Sequence, residues 1–388
     1  MSVFLDHAST SGLRDSARLA LLAALELVGN PSSVHSHGRT TRELLEAARD
    51  QIAEACGANR SEIIFNAGGT EGDNHAIKGI YWKQNQQDPT RRVIITSPTE
   101  HHAVLDPVSW LAANQGAEVH YVKLLRNGML DFADLERLID QHSSQIALIS
   151  LMWVNNETGV ITDIPRVTEL ASKPSIPVHS DAVAAFGHVP INFAESGLTA
   201  MSLSGHKVGA PIGVGALVVA RSAKPASLVH GGGQERSLRS GTMNYPLAVS
   251  FAAAAAESTE QLVSEMQRLR ALRDYLEVKV EKIVPSVIFT SGQAIRADYN
   301  SHMIFPGTQS DALLFLLDQE GICVSAGSAC QAGVLGPSHV LTGMGYSPEL
   351  ASACIRVTLG VTSTKADIEK FLVALAKIYP IALQATPA

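Results

Sequence analysis

Charge is scarce in this 388-residue chain: Asp, Glu, Lys and Arg make up 17% of it and sum to a formal charge of -7. A chain of that sign has no basic field with which to hold a nucleic-acid backbone or an anionic membrane surface, so neither partner is expected. Cysteine is scarcer still. Cys56, Cys323, Cys330 and Cys354 are too few for a disulfide framework at this length, and no C-x-x-C pair points to zinc or an iron–sulfur cluster. Long apolar runs are also missing: "PLAVSFAAAAAES" is the most apolar helical stretch, and Glu257 closes it well short of a membrane span. The opening "MSVFLDHASTSG" has no basic segment leading into an apolar core, so a reduced, cytoplasmic protein is expected.

What is present has the texture of an α/β protein, with 46% hydrophobic residues and a length that suits two domains. From residue 14, helix-spaced segments alternate with short β-rich runs: "EIIFNAG", "RRVIITSP", "AEVHYVKL", "QIALISLMWV", "IPVHSDAV" and "VGALVVA". That order implies a mostly parallel sheet wrapped by helices. After about residue 245 a long helical stretch leads into "SVIFTSG", "SHMIFPG", "ICVSAGS" and "IRVTLG", the pattern of a smaller α+β domain. The expected division is a large domain over 14–245, with 1–13 and 246–388 forming the small domain and its linking helix.

Three segments carry chemistry. In "FNAGGTEGDNHAI" a strand gives way to a helix at Gly69 and Thr70, where free amides suit a phosphate, although a tight turn with Thr70 as cap reads equally well. In "VHSDAVAAFGH" His179 and Asp181 share one face at the end of a buried strand, and the carboxylate needs a partner there: a cationic ring nitrogen, a capping amide or a buried ion pair. A metal held by His179, Asp181 and His188 is disfavoured, because the turn between them need not return His188. In "SLSGHKVGAPIGVGAL" Lys207 follows a strand ending at Ser204, at the sheet edge where such proteins bind ligands; the alternative is an exposed loop lysine. Phosphate turn, acid and amine are together what pyridoxal phosphate requires. "TEHHAVLDP" adds His101 after a strand, able to stack on a ring and move protons. "SAGSACQAGVLG" surrounds Cys330 with small residues, whereas structural cysteines are usually caged by apolar ones, so it reads as a loop carrying a reactive thiol.

Along nearly its whole length, through "FLDHAST", "GNPSSVHSHGR", "IIFNAGGTEGDNHAIKG", "TEHHAVLD", "MWVNNETGV", "HSDAV", "SGHKVGAPIGVGAL", "HGGGQERSLRSGT", "SAGSACQAG" and "IRVTLG", the chain resembles the cysteine desulfurases of the NifS/IscS type. These belong to the class-V aminotransferase group of fold-type-I pyridoxal-phosphate enzymes. The resemblance implies a large domain with a mostly parallel seven-stranded sheet plus a smaller α+β C-terminal domain, a homodimer, and pyridoxal 5'-phosphate as cofactor, with no metal. It implies that Lys207 holds the cofactor's aldehyde, Asp181 pairs with its ring nitrogen, and His101 stacks on the ring and shuttles protons. Gly69, Thr70, Ser204 and His206 would bind the phosphate, with Thr242 coming from the partner subunit. Asn156 would contact the substrate or the cofactor's phenolic oxygen, and Arg356, helped by Asn30, would hold the substrate carboxylate.

The implied activity converts L-cysteine to L-alanine, leaving the sulfur as a persulfide on Cys330. An acceptor protein then takes it, for iron–sulfur cluster assembly, tRNA thiolation or DNA phosphorothioation. The span from Ser325 through Gly336 resembles the long-loop class of the family. One position departs from the pattern: Ala184 stands where the family usually has a glutamine that donates to the phenolic oxygen. A lyase acting on another β-substituted amino acid would share the cofactor site without needing Cys330. A non-catalytic scaffold would lack the yellow colour of bound cofactor. Cys56 and Cys354 read as structural within helical apolar patterns, and Cys323 as a buried strand residue.

Overall fold

The computed structural model describes residues 2–173, 175–327 and 336–384. Its largest sheet has seven strands in the order Ile63–Asn66, Gly215–Val219, Ala200–Ser204, Val178–Asp181, Ile146–Ser150, Val93–Thr96 and Glu118–Tyr121. Gly215–Val219 runs antiparallel to both its neighbours, and every other pairing is parallel. Such strands are covered on both faces, which is why "IALIS" is apolar almost throughout and buried at every position. Alternate residues feed two cores. Ile64, Ile94 and Leu148 pack with Ile77, Ile80, Val104 and Val108 from helices Gly69–Gln87 and His102–Gln115 on one face. Ile63, Phe65, Val93, Ile95 and Ile149 join Leu45, Ile52, Leu135 and Val167 on the other.

Past residue 245 the expected single long helix is two, Tyr245–Glu260 and Leu262–Ile283, meeting at Gln261. The junction falls in the polar run Ser258-Thr259-Glu260-Gln261, where Ser and Thr favour helix less than the alanines before them. A three-stranded antiparallel sheet follows, ordered Cys354–Thr358, Asn300–Ile304 and Ile288–Phe289. Cys354 therefore opens a strand instead of lying in a helix: the preceding helix is only Pro348–Ala351, and the β-branched Ile355, Val357 and Thr358 that follow suit a pleated surface. Cys323 is half-buried, because its strand, Ile322–Cys323, has a single partner. That partner is Val3–Phe4, laid parallel to it, so the start of the chain is pinned to the C-terminal part.

Candidate active site

Because six of the seven strands point the same way, the segments that follow them emerge along one edge of the sheet. Five of these segments line one cavity of about 220 Å³, contributing Gly69 and Thr70, His101, Asn156, Asp181, and Ser204 to Lys207. Gly68 caps the helix Gly69–Gln87 with φ 148°, a backbone that side chains rarely adopt. A Cβ on Gly69 would meet Val183 Cγ2 at 2.5 Å. The turn thus presses close to the wall, and the first amides of a 19-residue helix line the cavity with Thr70.

Asp181 ends its strand 6% exposed, and its Oδ1 accepts the Val183 amide at 2.8 Å. Burial pushes its carboxyl up to about 6, against the opposing pull of that amide and of Lys207. Lys207 closes a short turn after the strand Ala200–Ser204, and its Nζ donates to the carbonyls of Ala8 and Ser9, the latter at 2.8 Å. His101 caps the helix His102–Gln115, accepting the Ala103 amide on Nδ1 at 3.1 Å. Burial first, and the Lys207 charge second, push it down to about 4. The neutral ring consequently carries its proton on Nε2. His206 is pushed down to about 4 by the same two causes, and its Nδ1 lies 3.4 Å from Thr10 Oγ1. Asn156 offers the cavity an Oδ1 with no partner among the described residues.

This donor set fits pyridoxal phosphate. A buried carboxylate with a single amide partner suits a cationic ring nitrogen, a helix N-terminus suits a phosphate, and an amine stands in the same cavity. Arg356, 4% exposed, gives Nη2 to Asp6 Oδ1 at 2.8 Å and Nη1 to the Asn156 carbonyl at 2.7 Å, while Nε has no partner among the described residues. Asn30 and Thr242 are not brought to the cavity within one chain; both line a separate groove with Val28, Pro31 and Asn244. Cys330 lies outside the described residues. His179 turns both ring nitrogens to hydroxyls, Ser150 Oγ at 2.9 Å and Ser202 Oγ at 3.0 Å, and His188 Nε2 sits 3.0 Å from the Lys207 carbonyl, so the two histidines do not converge with Asp181 as ligands.

Three acidic residues escaped the sequence reading. Asp73 lines the cavity 1% exposed, 3.5 Å from His179 Nε2, and burial followed by the nearby Asp181 raises its carboxyl well above the usual range. Glu100 is fully buried and accepts the Met152 amide at 2.8 Å. Glu157, also fully buried, accepts Ser338 Oγ at 2.6 Å, and a Cβ on Gly327 would overlap its Oε2. One carboxyl therefore touches the chain on both sides of residues 328–335. The three acids stand in "TEGDN", "TEHH" and "NNETG", and nothing local in these stretches marks them as buried.

A model of the aminotransferase class-V family matches residues 3–371. The chain is 44% identical over 373 residues to an IscS-like cysteine desulfurase of Mycobacterium tuberculosis, covering 96% of this chain and 95% of that one. It is 40% identical over 377 residues to cysteine desulfurase IscS of Dictyoglomus turgidum, covering 97% and 94%. Among solved structures, a NifS-like protein of Rickettsia africae superposes with a TM-score of 0.88 at 32% identity, covering 98% of this chain and 100% of that one.

The buried acid gives a prediction with opposite signs for the two forms of the protein. Without cofactor, a carboxyl raised from 3.8 to about 6 costs nothing below pH 4, costs progressively more as pH rises to 6, and above that costs about 3 kcal/mol at 1.36 kcal/mol per pKa unit. Asp181→Asn therefore raises the melting temperature of cofactor-free protein at pH 7.5 by several degrees, and leaves it unchanged near pH 4. The same variant binds pyridoxal phosphate at least about tenfold more weakly, since the lost charge partner is worth more than 1.4 kcal/mol. Parallel thermal melts and cofactor titrations check both signs. Gly327→Ala, which drives a methyl group into Glu157, lowers turnover roughly a hundredfold, the effect of a misplacement of about 1 Å, while cofactor absorbance is retained.

Proposed function

From the premise that the chain belongs to the aminotransferase class-V family, we propose that its residues take the sulfur from L-cysteine in one cavity and pass it on through Cys330. The protein is a cysteine desulfurase, and its cofactor is pyridoxal 5'-phosphate. The observation that carries the residue assignment is that Lys207, Asp181, His101 and the N-terminal turn of the helix Gly69–Gln87 line one cavity.

When bound, the cofactor supplies an aldehyde that captures an amino group and a ring that accepts the electron pair left when the α-proton departs. Gly69, Thr70, Ser204 and His206 would hold its phosphate, Asp181 the ring nitrogen and Lys207 the aldehyde carbon. Once cysteine takes Lys207's place, the freed Nζ is the base that removes the α-proton. His101, neutral with its proton on Nε2, is the acid in the same cavity. Arg356 and Asn156 hold the substrate carboxylate. The Cys330 thiolate attacks the substrate sulfur: an S–S bond forms, the C–S bond breaks, and its electron pair stays on the carbon side, which takes up one proton at Cβ and regains at Cα the proton that Lys207 removed, to become alanine. A persulfide remains on Cys330 for an acceptor protein that builds iron–sulfur clusters or thiolates a nucleic acid.

We read the working form as a cytoplasmic homodimer. In support, Thr242 and Asn30 share a groove away from their own chain's cavity, as residues serving the other subunit would. Among the described residues no helix is long and apolar enough to cross a membrane.

The test is to incubate the purified protein with L-cysteine and a thiol reductant and to quantify alanine and sulfide. The native chain releases the two in equal amounts. Cys330→Ala keeps its cofactor absorbance and releases neither above about a thousandth of the native rate, and Lys207→Ala loses turnover together with the absorbance of the lysine-bound cofactor. Native-like output from Cys330→Ala would sink the persulfide route and leave a lyase acting without a protein thiol.

A further inference from the structure

At the far edge of the seven-stranded sheet, remote from the cofactor cavity, the last strand Glu118–Tyr121 pairs on one side only. Residues two apart in a strand share a face, and here they are Glu118 and His120. His120 Nε2 lies 2.9 Å from Glu118 Oε1. The helix Phe132–His142 ends beside them, and its last residue stacks His142 on His120 with ring centroids 4.2 Å apart and planes 34° apart. One ligand atom from each of the three residues lies within 4.8 Å of the other two, the only such trio of metal-ligating side chains among the described residues.

Nothing in the fold requires this grouping. The three side chains are half-buried and bury no apolar core, and two imidazoles in face contact gain little unless something draws them together. We propose that Glu118, His120 and His142 form a binding site for a divalent transition-metal cation of the zinc class, with a fourth position open to water. Two imidazoles and one carboxylate are a ligand set that zinc takes, at about 2.0–2.2 Å from each donor. Imidazole and carboxylate favour the borderline metals over magnesium or calcium, which prefer an all-oxygen shell. The ion takes the place of the proton between His120 Nε2 and Glu118 Oε1. For the ligand atoms to reach bonding distance, the trio contracts by about an ångström from its widest separation, within reach of side-chain rotation at partly exposed positions. Two charges act on the ion. The C-terminal end of the helix bearing His142 presents the negative pole of its dipole, which favours a cation. Arg92 stands 3.8 Å from Glu118 Oε2, and being 59% exposed it can swing into water as the ion enters.

The experiment titrates Zn²⁺ calorimetrically into the holoenzyme and into His120→Ala, His142→Ala and Glu118→Gln. Because thiols and the cofactor also take zinc, the quantity read is the difference between native and variant. The native protein binds one more equivalent than either histidine variant, or binds it more than about tenfold more tightly, since even partners outside a ligand set are worth tenfold. Glu118→Gln gives an intermediate loss. Co²⁺ in place of Zn²⁺ gives visible d–d bands for that equivalent without a thiolate charge-transfer band. All three variants keep native cofactor absorbance and metal-free desulfurase activity, which shows that they fold. Identical isotherms for native protein and both histidine variants would overturn the site, as would a thiolate band on the disputed equivalent. Neither result bears on the assignment of Cys330 or Lys207.

Discussion

The Asp181 carboxylate sits at the end of a strand flanked by parallel neighbours, 6% exposed, with one backbone amide and the field of Lys207 to stabilise its charge. An acid so placed is expensive to ionise, and the residues beneath it keep it from sharing the expense with others. Asp73, crowded by burial and by Asp181, is held neutral, because two adjacent carboxyls out of water do not both ionise. His179 is held neutral too: burial pushes it down to about 3, with Ser150 and Ser202 on its two nitrogens. The single negative charge of this group therefore faces the cavity, where a cationic ring nitrogen would relieve its desolvation. A fixed carboxylate that is unstable without its ligand holds that ligand by the free energy it regains.

The start of the chain ties this site to the C-terminal sheets. Val3–Phe4 pairs with Ile322–Cys323, Asp6 meets Arg356, the Ala8 and Ser9 carbonyls take the Lys207 ammonium, and Arg14 reaches Glu257 at 2.7 Å. The two cations of the proposed chemistry, Lys207 and Arg356, are thus positioned by a dozen residues that belong to neither main sheet. On the proposed assignment Lys207 would exchange these two carbonyl acceptors for a covalent bond to the aldehyde. Ala8 itself lines the cavity, so substitution in this segment acts on the site both directly and through these contacts.

The alternation of strand and helix could be read from the sequence because strands covered on both faces are apolar runs, and "IALIS" or "VIIT" cannot be mistaken for an exposed helix. The turn at Gly69, the acid at Asp181 and the amine at Lys207 are each ambiguous alone, and their chain order together with the resemblance favours the cofactor reading of all three. Glu157 was not legible, since its partner Ser338 is 181 residues away and leaves no local trace. Asp73 was hidden for a related reason: an acid in the first turns of a helix ordinarily faces water, and only the packing of that helix against the sheet shows that this one does not. Cys354 misled because "ELASACIRV" has helical spacing up to the residue at which the strand begins.

The histidines around the cavity bear on how anions are sorted within it. His101, His188 and His206 are each pushed down by burial to about 4, so none is charged at neutral pH. Had they been cationic, the cavity would attract the phosphate and the substrate carboxylate wherever these landed. With the histidines neutral, Lys207 is the one cation among the described residues that line the cavity, Arg356 stands beyond Asn156, and the helix N-terminus contributes a partial charge at Gly69 and Thr70. On the proposed assignment each anionic group would then have a distinct destination: phosphate at the helix, substrate carboxylate at the guanidinium. The Lys207 amine, once released, would lie near the neutral rings of His101 and His206. A base must shed its proton to act, and nearby cations would ease that loss but weaken its pull on the α-proton. On that assignment neutral histidines would leave Lys207 a stronger base, and Asp181 would keep its charge for the ring.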